Sequence, residues 1–379
     1  MSRKAVLICL DGCGIDYLNS ALFLRRLSIQ GYFVEGNSII PSVTNVNNVS
    51  IITGEYPDVH GITSNYYYDR GTGKEVYMES PSFIKTQTLL EWASKKGLQT
   101  ALLTAKDKLR TLIGKGAKTS FSAEKPEDWV IKKIGEPPNI YSVDINLWLF
   151  KAAKEVILKE APDFTYIATT DYAMHKYAPQ ESESNRHIRG IDQSISEISE
   201  IFENNGTETL ICVTADHGMS KISTAVNLEL ILKEHSINSK MNTIIADRYI
   251  VHHGNLGGAA YLYLEDIRNI SKSIDILKDT NGVERAFTRE EASKLYHLDP
   301  NRIGDILALG EKGWVFGLQN EVIKEVNLRS HGSLNEMKIP IITNLSKSES
   351  SQYPKENKDL ASLIKEWLEK GISSSNLNL

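Results

Sequence analysis

An α/β fold built on a central, mostly parallel sheet flanked by helices is predicted by three observations. Three apolar runs, AVLICL, FTYIATT and TLICVTA, each lead into an aspartate, namely Asp11, Asp171 and Asp216. Apolar runs this short, bounded by polar residues, read as strands buried on both faces of a parallel sheet. The segments between them place apolar residues at helical spacing, the alternation of a doubly wound fold. Beyond His217 the rhythm changes: runs such as YLYL and WVFG are shorter and alternate, with turn signals NG, DPN and EKG. That change predicts a smaller α+β cap insertion over residues 241–325, set into a core made of residues 1–240 and 326–379.

The elements follow in order. A first strand near Lys4 to Leu10 leads to a helix over Asp16–Ser28, with Leu18, Leu22 and Leu24 as its buried face and Gly31 as its stop. PSVTNVNNVSIITG starts a helix near Thr44 or Asn45 and closes at Gly54. TLLEWASKKG and LQTALLT read as helix, glycine cap and strand, and PEDWVIKKIG as a further helical stretch. From Val143 to Glu160, Ile145, Leu149, Ala152 and Val156 recur at helical spacing before FTYIATT. Ile188, Ile191, Ile195, Ile198 and Phe202 make a second stripe before TLICVTA, and both stripes read as core. The sheet rhythm resumes at PIITN, after His331, and the Ser/Asn-rich last residues read as a frayed end.

Composition narrows the function. The 379 residues carry a net charge of −5 and no Lys/Arg cluster, which argues against polymeric nucleic acid as a partner. No window approaches the length of a membrane span, and MSRK with its six-residue apolar run is too short for a signal-peptide core. These absences predict a soluble, cytoplasmic protein with no membrane partner. A homodimer is compatible with the chain, whose residues do not themselves specify an oligomeric state. Cys9, Cys13 and Cys212 are odd in number and lie in or near strand-like runs, so they read as packed thiols.

Open α/β sheets place their sites at the carboxyl ends of strands, so Asp11, Asp171 and Asp216 should converge on one edge. His175 lies four residues after Asp171, His217 adjoins Asp216, and His331 follows far downstream. This is enough carboxylate and imidazole to hold two divalent metals; such donors suit zinc, and also manganese or iron. A helical turn starting at Asp171 would carry His175 to the same ion. Thr44 is the leading nucleophile, because a helix N-terminus favours an alkoxide and a coordinated metal would lower its pKa further. The same position also suits an N-cap threonine with no chemistry, and Ser42 and Ser50 are competing hydroxyls. Lys106 and Lys108, two apart, could face one anionic ligand or form a solvated turn.

DGCGIDYL, PSVTNVNNVSIITGEYPDVHGITSNYYYD, TAKDKLR, TTDYAMHKYAP, VTADHGM, YIVHHGNLGGAAYLYL and RSHGSL occur in this order, from Ala5 to about Asn344. Together they resemble the alkaline phosphatase superfamily and, within it, most the phosphonoacetate hydrolases. The resemblance implies an alkaline-phosphatase-like core with two Zn2+ per subunit. Asp171, His175 and His331 would bind one ion; Asp11, Asp216 and His217 would bind the other, with Thr44 as both ligand and nucleophile. Asn65 would help hold the phosphoryl oxygens, Lys106 and Lys108 would recognise the charged groups of the substrate, and Thr44 and His175 would contact it too. His252 and His253 are left without a metal role. The implied activity is hydrolysis of the C–P bond of phosphonoacetate, a small anionic phosphonate, to acetate and phosphate through phosphothreonine. The competing readings are a nucleotide pyrophosphatase/phosphodiesterase with the same metals, a phosphomutase-like enzyme, and a phosphonate-binding protein without turnover.

Overall fold

Nearly every residue of Lys4–Cys9, Thr100–Thr104 and Phe164–Ala168 is buried, as both faces of an enclosed parallel sheet require. The computed structural model describes residues 3–248, 254–346 and 353–376; His252 and His253 lie outside the described residues. The central seven-stranded sheet runs in the order Tyr32–Asn37, Lys338–Thr343, Thr209–Thr214, Lys4–Cys9, Phe164–Ala168, Thr100–Thr104, Thr119–Ser122. Only Lys338–Thr343 runs against its neighbours; the other pairings are parallel. Cys9 pairs with Ala168 on one side and Thr214 on the other. The three strands therefore end level with one another, and the aspartates that follow them emerge at one edge.

Helices cover the sheet as their stripes predict. Ile145, Leu149, Ala152 and Val156 are buried in Ile145–Glu160, as are Ile188, Ile191, Ile195, Ile198 and Phe202 in Ser182–Asn204. The helix expected over Asp16–Ser28 is corrected: Ile15–Ser20 is a 3-10 segment, and the α-helix is Leu22–Gln30. Leu22, expected inside, is 73% exposed, while Leu24 and Leu27 are buried. The break falls at Ala21 because Asp192, on the long helix, accepts hydrogen bonds from the N–H groups of Phe23 and Leu24, both at 2.8 Å. A carboxylate at that point satisfies the helix's first donors and fixes where it begins.

The helix Thr44–Thr53 is enclosed on all sides, with Asn45 to Thr53 buried, and ends at Gly54 in the left-handed conformation (φ +80°). Its asparagines are structural as well as polar. Asn47 Oδ1 accepts from Ile39 N at 2.7 Å and Asn357 Nδ2 at 2.9 Å, and its Nδ2 donates to Ile39 O at 2.9 Å. The loop leading to Thr44 is thus tied to the helix itself.

Ser239–Thr243, Ala259–Leu264, Ile306–Gly310 and Val283–Thr288 form a separate antiparallel sheet in that order, with an apolar core that includes Leu232, Leu262, Leu277 and Phe316. A third sheet joins Trp314–Phe316, Ser220–Val226 and Ile323–Ser330, and the last strand delivers the chain directly to His331. The three cysteines are buried free thiols. No helix among the described residues is long and apolar enough to cross a membrane.

Candidate dinuclear metal centre

The edge at which the strands end holds two compact groups of donors. Atoms of Asp171, His175 and His331 lie within 4.8 Å of one another, and so do atoms of Asp11, Asp216 and His217. All six residues are buried. Asp171 stands just before the short helix Tyr172–Lys176, whose single turn brings His175 Nε2 to 2.9 Å from Asp171 Oδ2. Asp216 Oδ1 accepts from the N–H of His217 at 3.0 Å and from that of Gly12 at 3.1 Å. Gly12 is in the left-handed region (φ +72°), where a side chain would also crowd Asp171 Cβ at 3.1 Å. The chain bends there so that Asp11 and Asp216 can approach.

The imidazoles are oriented for coordination. His175 Nδ1 lies 2.6 Å from Arg329 O, His217 Nδ1 2.9 Å from Gly218 O, and His331 Nδ1 2.8 Å from Ser42 O. A ring that donates Nδ1–H to a carbonyl carries its lone pair on Nε2, the tautomer that binds a metal. Each Nε2 faces carboxylates: that of His217 is 3.5 Å from Asp11 Oδ1, and that of His331 is 3.7 Å from Asp171 Oδ2. His217 and His331 also stack, with centroids 3.5 Å apart and planes 9° from parallel, which joins the two groups.

Electrostatics point the same way. Burial, then the charges of Asp171 and Asp216, hold the pKa of Asp11 well above the carboxylate range, and burial pushes Asp216 up to about 6. Burial holds His217 and His331 below the usual imidazole value, so both stay neutral. Three enclosed carboxylates with neutral imidazoles form a donor set that matches divalent cations, and the single ammonium of Lys106 beside Asp11 and Asp171 does not balance it. The residues present therefore fit a pair of metal ions.

Thr44 opens the buried helix, but the residue before it, Val43, holds the capping position and no side chain caps the helix. The hydroxyl of Thr44 instead lies 3.2 Å from His217 Nε2 and 3.4 Å from Asp11 Oδ1. The competing hydroxyls are engaged elsewhere, Ser42 with Ser333 O at 2.6 Å and Ser50 with His60 Nε2 at 2.8 Å. Lys106 Nζ stands between the groups, 2.8 Å from Asp171 Oδ1 and 3.3 Å from Asp11 Oδ2. Burial opposes its charge, but those two carboxylates outweigh it and hold its pKa above the ordinary lysine value. Lys108 pairs with Asp247 and lies 3.4 Å from Glu79 Oε1. Asn65 Nδ2 donates to Ile245 O at 3.0 Å and Ala246 O at 3.4 Å.

Thr44, Asn65, Lys106, Lys108, Asp171 and His331 line one pocket of about 40 Å3. Lys106, Lys108 and Asp247 also border a chamber of about 510 Å3 that reaches Tyr141 and Tyr172. Sequence reasoning missed Asn48 and Tyr166. Asn48 Nδ2 donates to Asp216 Oδ2 at 3.2 Å and Thr44 O at 3.0 Å, while its Oδ1 accepts from Tyr166 OH at 2.6 Å. Its spacing from Thr44 by one helical turn was the available signal.

A family model described as Type I phosphodiesterase / nucleotide pyrophosphatase matches residues 5–334. The structure is similar to phosphonoacetate hydrolase from Sinorhizobium meliloti 1021 in complex with phosphonoacetate, with a TM-score of 0.88 and 33% identity, covering 97% of this chain and 96% of that one. It also resembles murine ectonucleotide pyrophosphatase / phosphodiesterase 5, with a TM-score of 0.68 and 17% identity over 97% of this chain and 95% of that one. In sequence it is 24% identical to the bis(5'-adenosyl)-triphosphatase enpp4 of Xenopus laevis, over 88% of this chain and 70% of that protein.

Proposed function

Because the chain belongs to the type I phosphodiesterase/nucleotide pyrophosphatase family, a family of hydrolases, we propose that it hydrolyses the C–P bond of phosphonoacetate to acetate and phosphate through a phosphothreonine intermediate. The observation that carries the reading is the convergence of Lys106 and Lys108 on the pocket of Thr44, beside the two donor groups. The 33% identity to a phosphonoacetate hydrolase over 97% of the chain supports it.

In this reading Asp171, His175 and His331 would hold one zinc ion, and Asp11, Asp216 and His217 the other, with Thr44 as an added ligand. Bound there, the ions would supply Lewis acidity to the phosphoryl oxygens and lower the pKa of the threonine hydroxyl. Thr44 Oγ1 attacks phosphorus, the C–P electron pair leaves on carbon, and the hydroxyl proton is lost to solvent. The neighbouring carboxylate spreads the departing charge as an enolate-like dianion, which Lys106 or Lys108 stabilises before carbon takes up a proton. Asn65 and His175 border the phosphoryl group. Water then cleaves phospho-Thr44, releasing phosphate and restoring the hydroxyl. Residues 241–325 act as a cap, contributing Ile245 and Asp247 to the pocket wall.

A second reading, a nucleotide pyrophosphatase/phosphodiesterase, is favoured by the chamber of about 510 Å3, larger than phosphonoacetate needs and walled by Tyr141 and Tyr172. One assay separates them: phosphate release from phosphonoacetate against p-nitrophenol release from a nucleotide ester, before chelation, after it, and after zinc is restored. Metal-dependent phosphate release supports the first reading; ester cleavage alone supports the second.

A further inference from the structure

The helix that begins at Thr44 carries a donor with nothing to donate to. Asn45 is 5% exposed, and its Nδ2 is shielded from solvent with no hydrogen-bond partner among the described residues. Native proteins rarely leave a buried amide N–H unpaired, and what sets Asn45 apart from other unpaired groups here is its place in the wall of the pocket beside Thr44. On the same helix the amides of Asn47 and Asn48 are bonded at both ends. Asn45 lines the pocket of about 40 Å3 that also holds Thr44, a space suited to a compact tetrahedral anion. The helix is ten residues long, so the first backbone N–H groups there lack partners within it and favour negative charge. Asn65, in the same pocket, already donates to two backbone carbonyls.

We propose that Asn45 is a catalytic residue whose amide turns into the pocket as Thr44 attacks phosphorus, so that its Nδ2–H, shielded in the resting chain, donates to a non-bridging phosphoryl oxygen. This rests on the reading of Thr44 as the phosphoryl acceptor. Negative charge on that oxygen grows as phosphorus becomes five-coordinate, so a donor not already engaged by the protein acts more strongly on the transition state than on the bound substrate. Because the contact is to the phosphoryl group, it is indifferent to what leaves.

The test uses zinc-loaded enzyme and its Asn45→Ala and Asn45→Asp variants, with phosphonoacetate, a p-nitrophenyl nucleotide ester, and orthovanadate as a five-coordinate probe bound in a calorimeter. Asn45→Ala is expected to lower kcat about 10²- to 10³-fold on whichever substrates the wild type accepts. It should weaken orthovanadate binding by a comparable factor and leave zinc content and melting temperature unchanged. Asn45→Asp preserves volume but adds charge, and should abolish orthovanadate binding; it serves if the alanine variant does not fold. Activity and orthovanadate binding within about threefold of wild type would overturn the proposal, and so would losses that simply track zinc content. If wild type cleaves the ester and spares phosphonoacetate, the phosphonoacetate reading fails while Asn45 is still tested on the ester.

Discussion

Thr44 Oγ1 lies 3.2 Å from His217 Nε2, although 173 residues separate the two along the chain. Deleting the hydroxyl leaves Asp11, Asp216 and His217 in place. Thr44→Ala should therefore lower kcat by on the order of 10⁴-fold or more while most bound zinc is retained, as measured by single-turnover assays beside metal analysis. Substantial turnover in that variant would remove Thr44 as the nucleophile.

Lys106 and Lys108 differ in their surroundings, and their variants should differ accordingly. Lys108 is held by Asp247 and Glu79, away from the donor groups, whereas Lys106 touches Asp11 and Asp171. Lys108→Ala should reduce kcat/KM for phosphonoacetate about 10- to 100-fold through loss of a charge-assisted bond, with little effect on an aryl phosphate ester. Lys106→Ala should impair both substrates and alter zinc content. Equal losses on both substrates for Lys108→Ala would argue against selective recognition of the carboxylate.

Asn48 holds Asp216 by one amide hydrogen and is itself oriented by Tyr166. Asn48→Leu removes the donor to Asp216 Oδ2 and should weaken zinc affinity about 10- to 100-fold, measured by chelator competition. Tyr166→Phe removes the bond to Asn48 Oδ1 while those of its Nδ2 to Thr44 O and Asp216 stay, and should produce a smaller loss in the same direction. Unchanged affinity in both would show that Asp216 is positioned by the backbone alone.

Acid stability should depend on two histidines that belong to neither donor group. Burial lowers the pKa of His60 to about 3 and that of His187 to about 4, from an ordinary value of 6.5. Both are neutral in the folded chain and take up a proton on unfolding. Their contribution is complete above about pH 6.5 and is lost as the pH falls, down to about 4 for His187 and about 3 for His60, at about 1.4 kcal/mol per pH unit for each group. Denaturant unfolding of His60→Asn, set against wild type between pH 7 and pH 5, should show a shallower loss of stability. Parallel slopes would refute the assignment.

The strand-end aspartates were legible because a buried parallel strand leaves a plain signature, an apolar run stopped by one polar residue. The helix stripes were legible for a similar reason. The start of Leu22–Gln30 was not, since a helical stripe read from Asp16 onward gives no sign that Asp192, far along the chain, will satisfy the first N–H groups at Phe23 and Leu24. Nor could the asparagines after Thr44 be assigned, because polarity suggests exposure and only the fold shows Asn45, Asn47 and Asn48 enclosed. The partners of Lys108 were hidden likewise: Asp247 reaches it from the separate antiparallel unit across a large gap in sequence.

His331 reaches the edge only after the second sheet has been traversed, so the two donor groups differ in how much of the chain each one spans. Asp11, Asp216 and His217 are all synthesised well before Asp171 and His175 can meet His331. One donor group therefore draws only on residues up to His217, while the other waits on His331, and the two meet where the His217 and His331 rings stack. The second donor group is thus closed by a residue from beyond the antiparallel unit, so its geometry depends on the strand Ile323–Ser330 being in place.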